Sequence, residues 1–464
     1  MSGNILTILT FQKEKKATNR LLLLNTLQCS FHEIYSRNIQ LMKYIVKAPN
    51  SINTDITLPA SKSISNRALV ISAMAAEMSG KAILFPENLS NCDDTDVIVS
   101  ALKEMPEKIN IKAAGTAMRF MTAYLSILPG HNHVLTGTER MKHRPIKTLV
   151  DALRHLGAEI EYVGEEGYPP LRIKGKRLKG GELSILGNVS SQYISALLMI
   201  GPALENGLQL TLEGSIVSRP YIDLTLCTMR DFGAEADWSG VDSINVQPVP
   251  YRQREYYIEN DWSASSYWYQ MMAMYCSEGS KVVLNGLMDS SRQGDSQVKY
   301  IFSMLGVHTT FGTRTPLVPT EVTLECHDRI VTRLDFDFTH QPDLAQTLIA
   351  TCLACNLQFH FRGLASLKIK ETDRIEAMKR EMKRLGYIIH DYNDSELRWD
   401  GERCEPEEDS GIQTYDDHRM AMAIAPMSII LGPLTIANPE VVSKSYPHFW
   451  DDLKKAGFEI EEQE

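Results

Sequence analysis

The sequence predicts an α/β protein of two inside-out, barrel-like domains, each of three repeated βαβαββ-type units with parallel helices buried at its centre. Three observations carry that prediction. Amphipathic segments closed by glycine recur every 71 to 80 residues. A second series of segments, apolar on every side, alternates with the first at a matching period. A strand-like run follows each member of the second series. A helix that is apolar all round must be buried all round. Six such helices cannot share one centre, whereas two groups of three, wrapped by sheets and outer helices, satisfy the burial. Helices inside and strands outside reverse the ordinary barrel.

The elements follow in chain order. Residues 1–41 hold five basic and two acidic side chains, a charge of +3 that leaves −13 on the remainder. A positive leader is compatible with a plastid transit peptide. The simpler expectation is an extension outside the fold, because Met42-Lys43-Tyr44-Ile45-Val46 runs straight into a strand. The amphipathic series comprises 149–160, 224–236, 298–309, 377–389 and 449–460, with apolar residues at i, i+3, i+4 and i+7. Their glycines, Gly157, Gly233, Gly306, Gly386 and Gly457, suit left-handed C-terminal caps. A sixth copy at 96–109 has lost its glycine. The buried series comprises 66–76, 116–128, 190–204, 263–276, 343–355 and 417–431, each opening on Ser, Thr or Asp as an expected N-cap or lying just after one. The strands after them are expected at 82–86, 134–138, 208–214, 281–287, 357–364 and 433–438.

Composition narrows the function. The 464 residues carry 48 Lys and Arg against 58 Asp and Glu, a net charge of −10. An acidic chain argues against a nucleic-acid surface or a basic membrane patch, and no apolar run is long enough to span a bilayer. The eight cysteines are dispersed, which disfavours a disulfide framework or a zinc site, and no metal or cofactor is expected. Cys352 and Cys355 form a C-x-x-C inside an apolar helix, where core thiols are the expectation. His131 and His133 flank a turn without partners at metal spacing, and Trp262, Trp268 and Tyr269 are expected near a passage between domains. Anionic ligands would have to be held by a few placed cations.

Such cations cluster at the polar first turns of the buried helices. Ser61-Lys62-Ser63-Ile64-Ser65-Asn66-Arg67 opens the first, and Gly115-Thr116-Ala117-Met118-Arg119 the second. Ser190-Ser191-Gln192 opens the third, Pro342-Asp343 the fifth, and Asp416-Asp417-His418-Arg419 the sixth. A helix N-terminus presents unpaired N–H groups and about half a positive charge. One such end reads as a capped surface helix; five at one repeat period read as a shared anion cleft. Loops add 140–145, Ser218-Arg219-Pro220-Tyr221, Lys370-Glu371-Thr372-Asp373-Arg374 and Lys444-Ser445-Tyr446-Pro447. Asp373 with Glu376 reads as a capping box, an architectural role.

The segments 59–67, 115–119, 140–145, 370–374 and 417–422 resemble, in order, the signature segments of the EPSP synthases (3-phosphoshikimate 1-carboxyvinyltransferases). The resemblance runs from about Lys43 to the C-terminus. It implies two three-unit domains closing on ligand, with two chain crossings: 61–261 as the first domain, and 42–60 with 262–464 as the second. The implied reaction moves the enolpyruvyl group of phosphoenolpyruvate onto the 5-hydroxyl of shikimate 3-phosphate. Motif by motif, Lys62, Ser63, Arg67, Ser190, Ser191, Gln192, Ser218, Asp343 and Lys370 resemble shikimate-phosphate contacts. Lys62, Gly115, Arg144, Gln192, Arg374, Arg419 and Lys444 resemble positions that hold phosphoenolpyruvate. Asp343 matches the acceptor of the 5-hydroxyl proton, with Lys370 beside it. Glu371 matches the carboxyl that exchanges the methylene proton, and Lys62 and Lys444 complete the implied catalytic set. The implied protein is a cytoplasmic monomer using two small-molecule substrates.

Three positions depart from the family pattern: Ala60 for Gly, Ala113 for Asn and Ser366 for Asn. None removes a cation, acid or base, so affinity is expected to change and activity to persist. Two other readings stand beside this one. The same transfer onto a UDP-sugar uses a loop cysteine, and no cysteine here sits in a matching motif. A non-catalytic anion-binding relative would have no need of Asp343, Glu371 and Lys370 together.

Overall fold

The computed structural model describes residues 42–275, 279–407 and 411–463, so the extension at 1–41 and Cys276 lie outside the described residues. Six buried helices alternate with six amphipathic ones. The buried set is α1 (Lys62–Ser79), α3 (Gly115–Ser126), α5 (Ser191–Ile200), α7 (Trp262–Tyr275), α9 (Ala345–Ala354) and α11 (His418–Ile424). The outer set is α2 (Asp93–Glu104), α4 (Lys147–His155), α6 (Arg219–Asp231), α8 (Val298–Met304), α10 (Arg374–Arg384) and α12 (Phe449–Lys455). Every residue of α9 and α11 is buried, whereas α4 buries only Leu149, Val150, Ala152 and Leu153, one stripe of a surface helix. Helix α1 packs on α3 and α3 on α5; α7 packs on α9 and α9 on α11. The third and sixth units share a further detail: α5 and α11 each pass into a 3₁₀ turn at a proline, Pro202 and Pro426, which cannot donate the next helical hydrogen bond.

The five repeat glycines cap the outer helices at φ between +88° and +103°, conformations that cost an L-residue with a Cβ about 1–2 kcal/mol. In the copy without glycine the chain still turns through the left-handed region. Met105 stands at φ +41° at the end of α2, its N–H on the Ala101 carbonyl. The unit geometry therefore persists where its sequence marker is lost.

Among the described residues five sheets surround the helices. One is three-stranded, in the order β6 (Leu434–Ala437), β1 (Lys43–Lys47), β7 (Glu459–Gln463). The four-stranded sheet β4 (Val307–Phe311), β5 (Thr320–Cys326), β3 (Lys281–Leu287), β2 (Asn53–Thr57) includes a parallel β3–β2 pair. Both N-terminal strands are thus hydrogen-bonded to C-terminal ones. The remaining sheets are formed within 108–174, within 181–246 and within 333–399. The expected strand at 82–86 does not form. That stretch has no regular structure, with Ala82 and Leu84 exposed and Pro86 buried, and its neighbour Glu87 makes a single bridge to Tyr257, too little to build a ladder.

Buried apolar side chains fall into two clusters, one running from Ala60 to Ile258, the other joining Val46–Leu58 to Trp262–Phe458. The chain passes between them twice, side by side. Ala60 bridges Asn260, Ser61 N donates to the Glu259 carbonyl at 2.9 Å, and Asp261 N to the Pro59 carbonyl at 2.9 Å. Trp262, Trp268 and Tyr269 are fully buried in the second cluster, where α7 begins beside this double passage. Among the described residues no helix is long and apolar enough to cross a membrane.

Candidate active site

The first turns of the buried helices from both clusters converge on one cavity of about 290 Å³. Of the six expected N-caps two serve as such and four do otherwise: Ser65 and Ser263 lie inside α1 and α7, Ser65 Oγ receiving Ser90 N at 3.0 Å and Ser263 Oγ donating to Asp295. Ser190 and Asp417 cap α5 and α11 through their side chains. Thr116 instead lies within α3, where its hydroxyl receives the Gln192 side-chain amide at 3.0 Å. Asp343 lies in a 3₁₀ turn, Pro342–Leu344, ahead of α9, and its carboxylate is engaged by cations rather than by backbone N–H groups.

On the side built from residues 61–261, Lys62 Nζ stands 3.3 Å from Asp94 Oδ2. Burial would lower this ammonium, but the Asp94 carboxylate outweighs it and holds the group charged. Arg67 meets neutral oxygens: Thr225 Oγ1 at 2.7 Å, the Ser63 carbonyl at 2.8 Å, Ser195 Oγ at 3.1 Å and the Tyr221 carbonyl at 3.2 Å. Arg119 bonds the Gly115 and Pro145 carbonyls at 3.1 Å each, and its Nε has no partner among the described residues. Burial pulls both guanidinium groups down to about 10, still charged at neutral pH. Arg144 lies against Gly115, where an added Cβ would fall 2.6 Å from its Nη1. Among the described residues none of Arg67, Arg119 and Arg144 is ion-paired to a carboxylate. The absence of a side chain at Gly115 is what lets the third of them reach the cavity.

The opposite wall is a closed ion-pair network. Asp343 Oδ2 lies 2.9 Å from Arg419 Nη2, and its Oδ1 3.2 Å from Arg374 Nη1 and 3.9 Å from Lys370 Nζ. Arg374 also grips Glu371 at 2.8 Å and the fully buried Asp417 at 2.7 Å. Asp417 in turn accepts the Arg419 N–H at 2.9 Å, so one carboxylate caps α11 and orients the central arginine. Burial alone would raise the Asp343 carboxyl, but Arg419, Lys370 and Arg374 outweigh it and hold it far below the ordinary range. Glu371 is held down likewise, by Arg374 and Arg144 against burial. Burial lowers the Lys370 ammonium, with Arg374 and Arg419 adding repulsion against the pull of Asp343. His418 lines the cavity uncharged, because burial and the nearby Lys62 and Arg419 disfavour its cation.

The two walls touch. Tyr221 OH reaches Asp343 Oδ2 at 3.3 Å, Ser218 N donates to the Thr339 carbonyl at 2.8 Å, and Arg140 pairs with Asp416 at 3.0 Å.

Of the residues singled out from sequence, Lys62, Ser63, Arg67, Gly115, Arg144, Ser190, Ser191, Gln192, Ser218, Asp343, Lys370, Glu371, Arg374 and Arg419 line this cavity. Lys444 stands at the rim with its Nζ on the Asp416 carbonyl at 2.7 Å, while Ser445 and Tyr446 beside it line the cavity. Of the three departures, Ser366 lines the cavity, Ala60 sits at the double passage and Ala113 is half-buried nearby in sequence. Asp373 caps α10, its carboxylate receiving Glu376 N at 3.1 Å. Sequence reasoning missed Asp94, Tyr267 and Asp261. Asp94 sits in an acid-rich first turn that looks like ordinary helix capping, and the other two belong to an apolar helix start that shows no charge pattern.

Known proteins resemble this chain in sequence and fold. The family model of EPSP synthase (3-phosphoshikimate 1-carboxyvinyltransferase) matches residues 46–110 and 104–453. A 3-phosphoshikimate 1-carboxyvinyltransferase of Bacteroides fragilis is 57% identical over 419 residues, covering 90% of this chain and 99% of the relative. One from Haemophilus influenzae is 34% identical over 446 residues, covering 89% and 99%. The solved EPSP synthase of Acinetobacter baumannii superposes with a TM-score of 0.72 at 22% identity, over 91% of this chain and 100% of that one. The enolpyruvyl transferase NikO of Streptomyces tendae does so at 0.65 and 14% identity, over 91% and 99%. Both share the two-domain α/β fold. With its profile matched over nearly the whole described chain, this protein belongs to the EPSP synthase (3-phosphoshikimate 1-carboxyvinyltransferase) family.

Proposed function

We propose that the chain transfers the enolpyruvyl group of phosphoenolpyruvate to the 5-hydroxyl of shikimate 3-phosphate, releasing phosphate, in aromatic amino-acid biosynthesis. The observation that carries this reading is the pairing of two unlike walls around one cavity: buried arginines without carboxylate partners among the described residues face a carboxylate network. Two substrates bearing phosphate and carboxylate groups need the first, and proton transfers need the second.

In this reading Lys62, Ser63, Arg67, Ser190, Ser191, Gln192 and Ser218 hold the shikimate phosphate and ring, with Asp343 and Lys370 at the 5-hydroxyl. Lys62, Gly115, Arg144, Gln192, Arg374, Arg419 and Lys444 hold phosphoenolpyruvate. Asp343 accepts the hydroxyl proton and Glu371 supplies the methylene proton. Both carboxylates are held strongly ionised by their arginines. Arrival of an anion beside Arg144, Arg374 and Arg419 weakens that hold, raising the basicity of Asp343 and letting Glu371 take up a proton. The site thereby acquires its acid and base only with substrate present. Lys370, its Nζ 3.9 Å from Asp343 Oδ1, is the cation beside that proton transfer.

Two bodies, 61–261 and 42–60 with 262–464, act as the halves that grip the substrates. Because one chain supplies both walls, no second copy is needed, and the protein works as a cytoplasmic monomer. A phosphate-release assay tests the reaction: release should require both substrates together and yield the enolpyruvyl ether by mass. Release from either substrate alone, or none from both, overturns the reading. Light scattering of the active protein should give the mass of one chain.

A further inference from the structure

Behind the cavity wall lies a carboxylate that the mechanism above does not use. Asp295, in the 3₁₀ turn Gly294–Gln297 ahead of α8, is 3% exposed. Its side chain receives the Ser263 hydroxyl, in a short contact, and the Tyr221 hydroxyl at 3.2 Å. The same Tyr221 oxygen is 3.3 Å from Asp343 Oδ2. One phenol therefore stands between two carboxylates at nearly equal distance, with a single proton to give. Tyr221 itself stays protonated, because burial and both aspartates oppose its ionisation.

We propose that Asp295 is a positioning residue for the transfer reaction: by holding the Tyr221 proton, it keeps Asp343 Oδ2 open to the substrate hydroxyl. The inference rests on the reaction proposed above. Asp343 already carries Arg419, Arg374 and Lys370. A further donor on Oδ2 would stabilise its anion, weaken it as a base and occupy the lone pair that the 5-hydroxyl needs. While Asp295 is ionised it competes for the phenol proton and turns it away from Asp343. Once Asp295 is protonated it loses that pull, and Tyr221 turns to Asp343. The groups facing Asp295 set where this change falls. Burial, then Asp343, push its carboxyl up to about 6, with Asp261 adding to them and Arg419 and Ser263 opposing.

The test is a double-mutant cycle read by steady-state phosphate release over pH. Asp295→Asn should lower kcat roughly tenfold, the scale of one hydrogen bond to a charged group, with little change in KM for either substrate. The wild type should lose kcat as pH drops through about 6, and Asp295→Asn should abolish that fall. In a Tyr221→Phe background the same substitution should change kcat less than about twofold, since the link is gone. Ser263→Ala removes a donor to ionised Asp295, so the acid limb should move to higher pH, and this arm carries the test should Asp295→Asn not fold. An active wild type with multiplicative losses in the double variant, or with an acid limb unmoved by these changes, overturns this inference alone. A wild type that releases no phosphate overturns the reaction and this inference with it.

Discussion

The two walls of the cavity treat positive charge in opposite ways. Arg67 and Arg119 are buried against carbonyls and hydroxyls, charges in need of an anion. Arg374 is as deeply buried, yet it is surrounded by Asp343, Glu371 and Asp417. Taking a charge out of water is costly unless it is paired, so the first wall carries a cost that a bound phosphate can relieve. The second wall has met that cost internally, and its carboxylates are therefore ready for proton work. One wall is a receptor and the other a machine, although the same repeated unit builds both.

The sharpest way to break this comparison is at Asp343. Asp343→Asn should cut kcat by ~10²–10⁴-fold, the usual scale for a general base, with modest change in substrate binding. Phosphate release near the wild-type rate would remove Asp343 from the chemistry.

Stability separates the walls next. Arg374→Met leaves three carboxylates without their central cation and should cost about 3–5 kcal/mol in urea unfolding. Arg119→Met, which strands no charge, should cost less than about half of that. Equal losses would erase the distinction. The network also predicts a pH dependence. Asp343 and Glu371 have folded-state pKa values below their unfolded ones, so their contribution is present above an unfolded pKa of 3.8 to 4.5 and is lost as pH falls toward the depressed values. Asp343→Asn should flatten the acid side of the stability curve.

Binding comes third. Arg67→Met should weaken shikimate 3-phosphate by roughly 10- to 150-fold by calorimetry, the range for hydrogen bonds to a charged group. Inorganic phosphate should raise the melting temperature of the wild type, because an anion favours the state that holds an unpaired cation, and that rise should shrink in Arg67→Met. A rise of the same size in both proteins would place the anion elsewhere.

The smallest expected effect is at Gly115. A methyl group there meets the Arg144 guanidinium at 2.6 Å, the mobile end of a long side chain, so the arginine moves and the backbone does not. Gly115→Ala should raise KM for phosphoenolpyruvate several-fold, about 1 kcal/mol, while the melting temperature stays put.

Much of this was legible in the chain because it is local. Apolar residues repeating on all sides of a helix, glycines at left-handed caps and cations at first turns are properties of a few neighbouring residues, so period and placement could be read directly. The capping box at Asp373 was readable for the same reason. Where a local signal disappeared, the tertiary structure held a left-handed turn without it, as at Met105; where a strand signal was present, at 82–86, no partner strand met it. What packing alone decided is long-range. The pairing of β2 with β3 joins strands more than 200 residues apart and entered the sequence reading only through family resemblance. Asp343 reads as a helix cap in sequence, but three cations arriving from Lys370, Arg374 and Arg419 engage its carboxylate. The Asp94 partner of Lys62 and the Tyr221 bridge to Asp295 show no spacing that a sequence could reveal. Electrostatic partners are chosen by distance in space, and a single chain records only distance along itself.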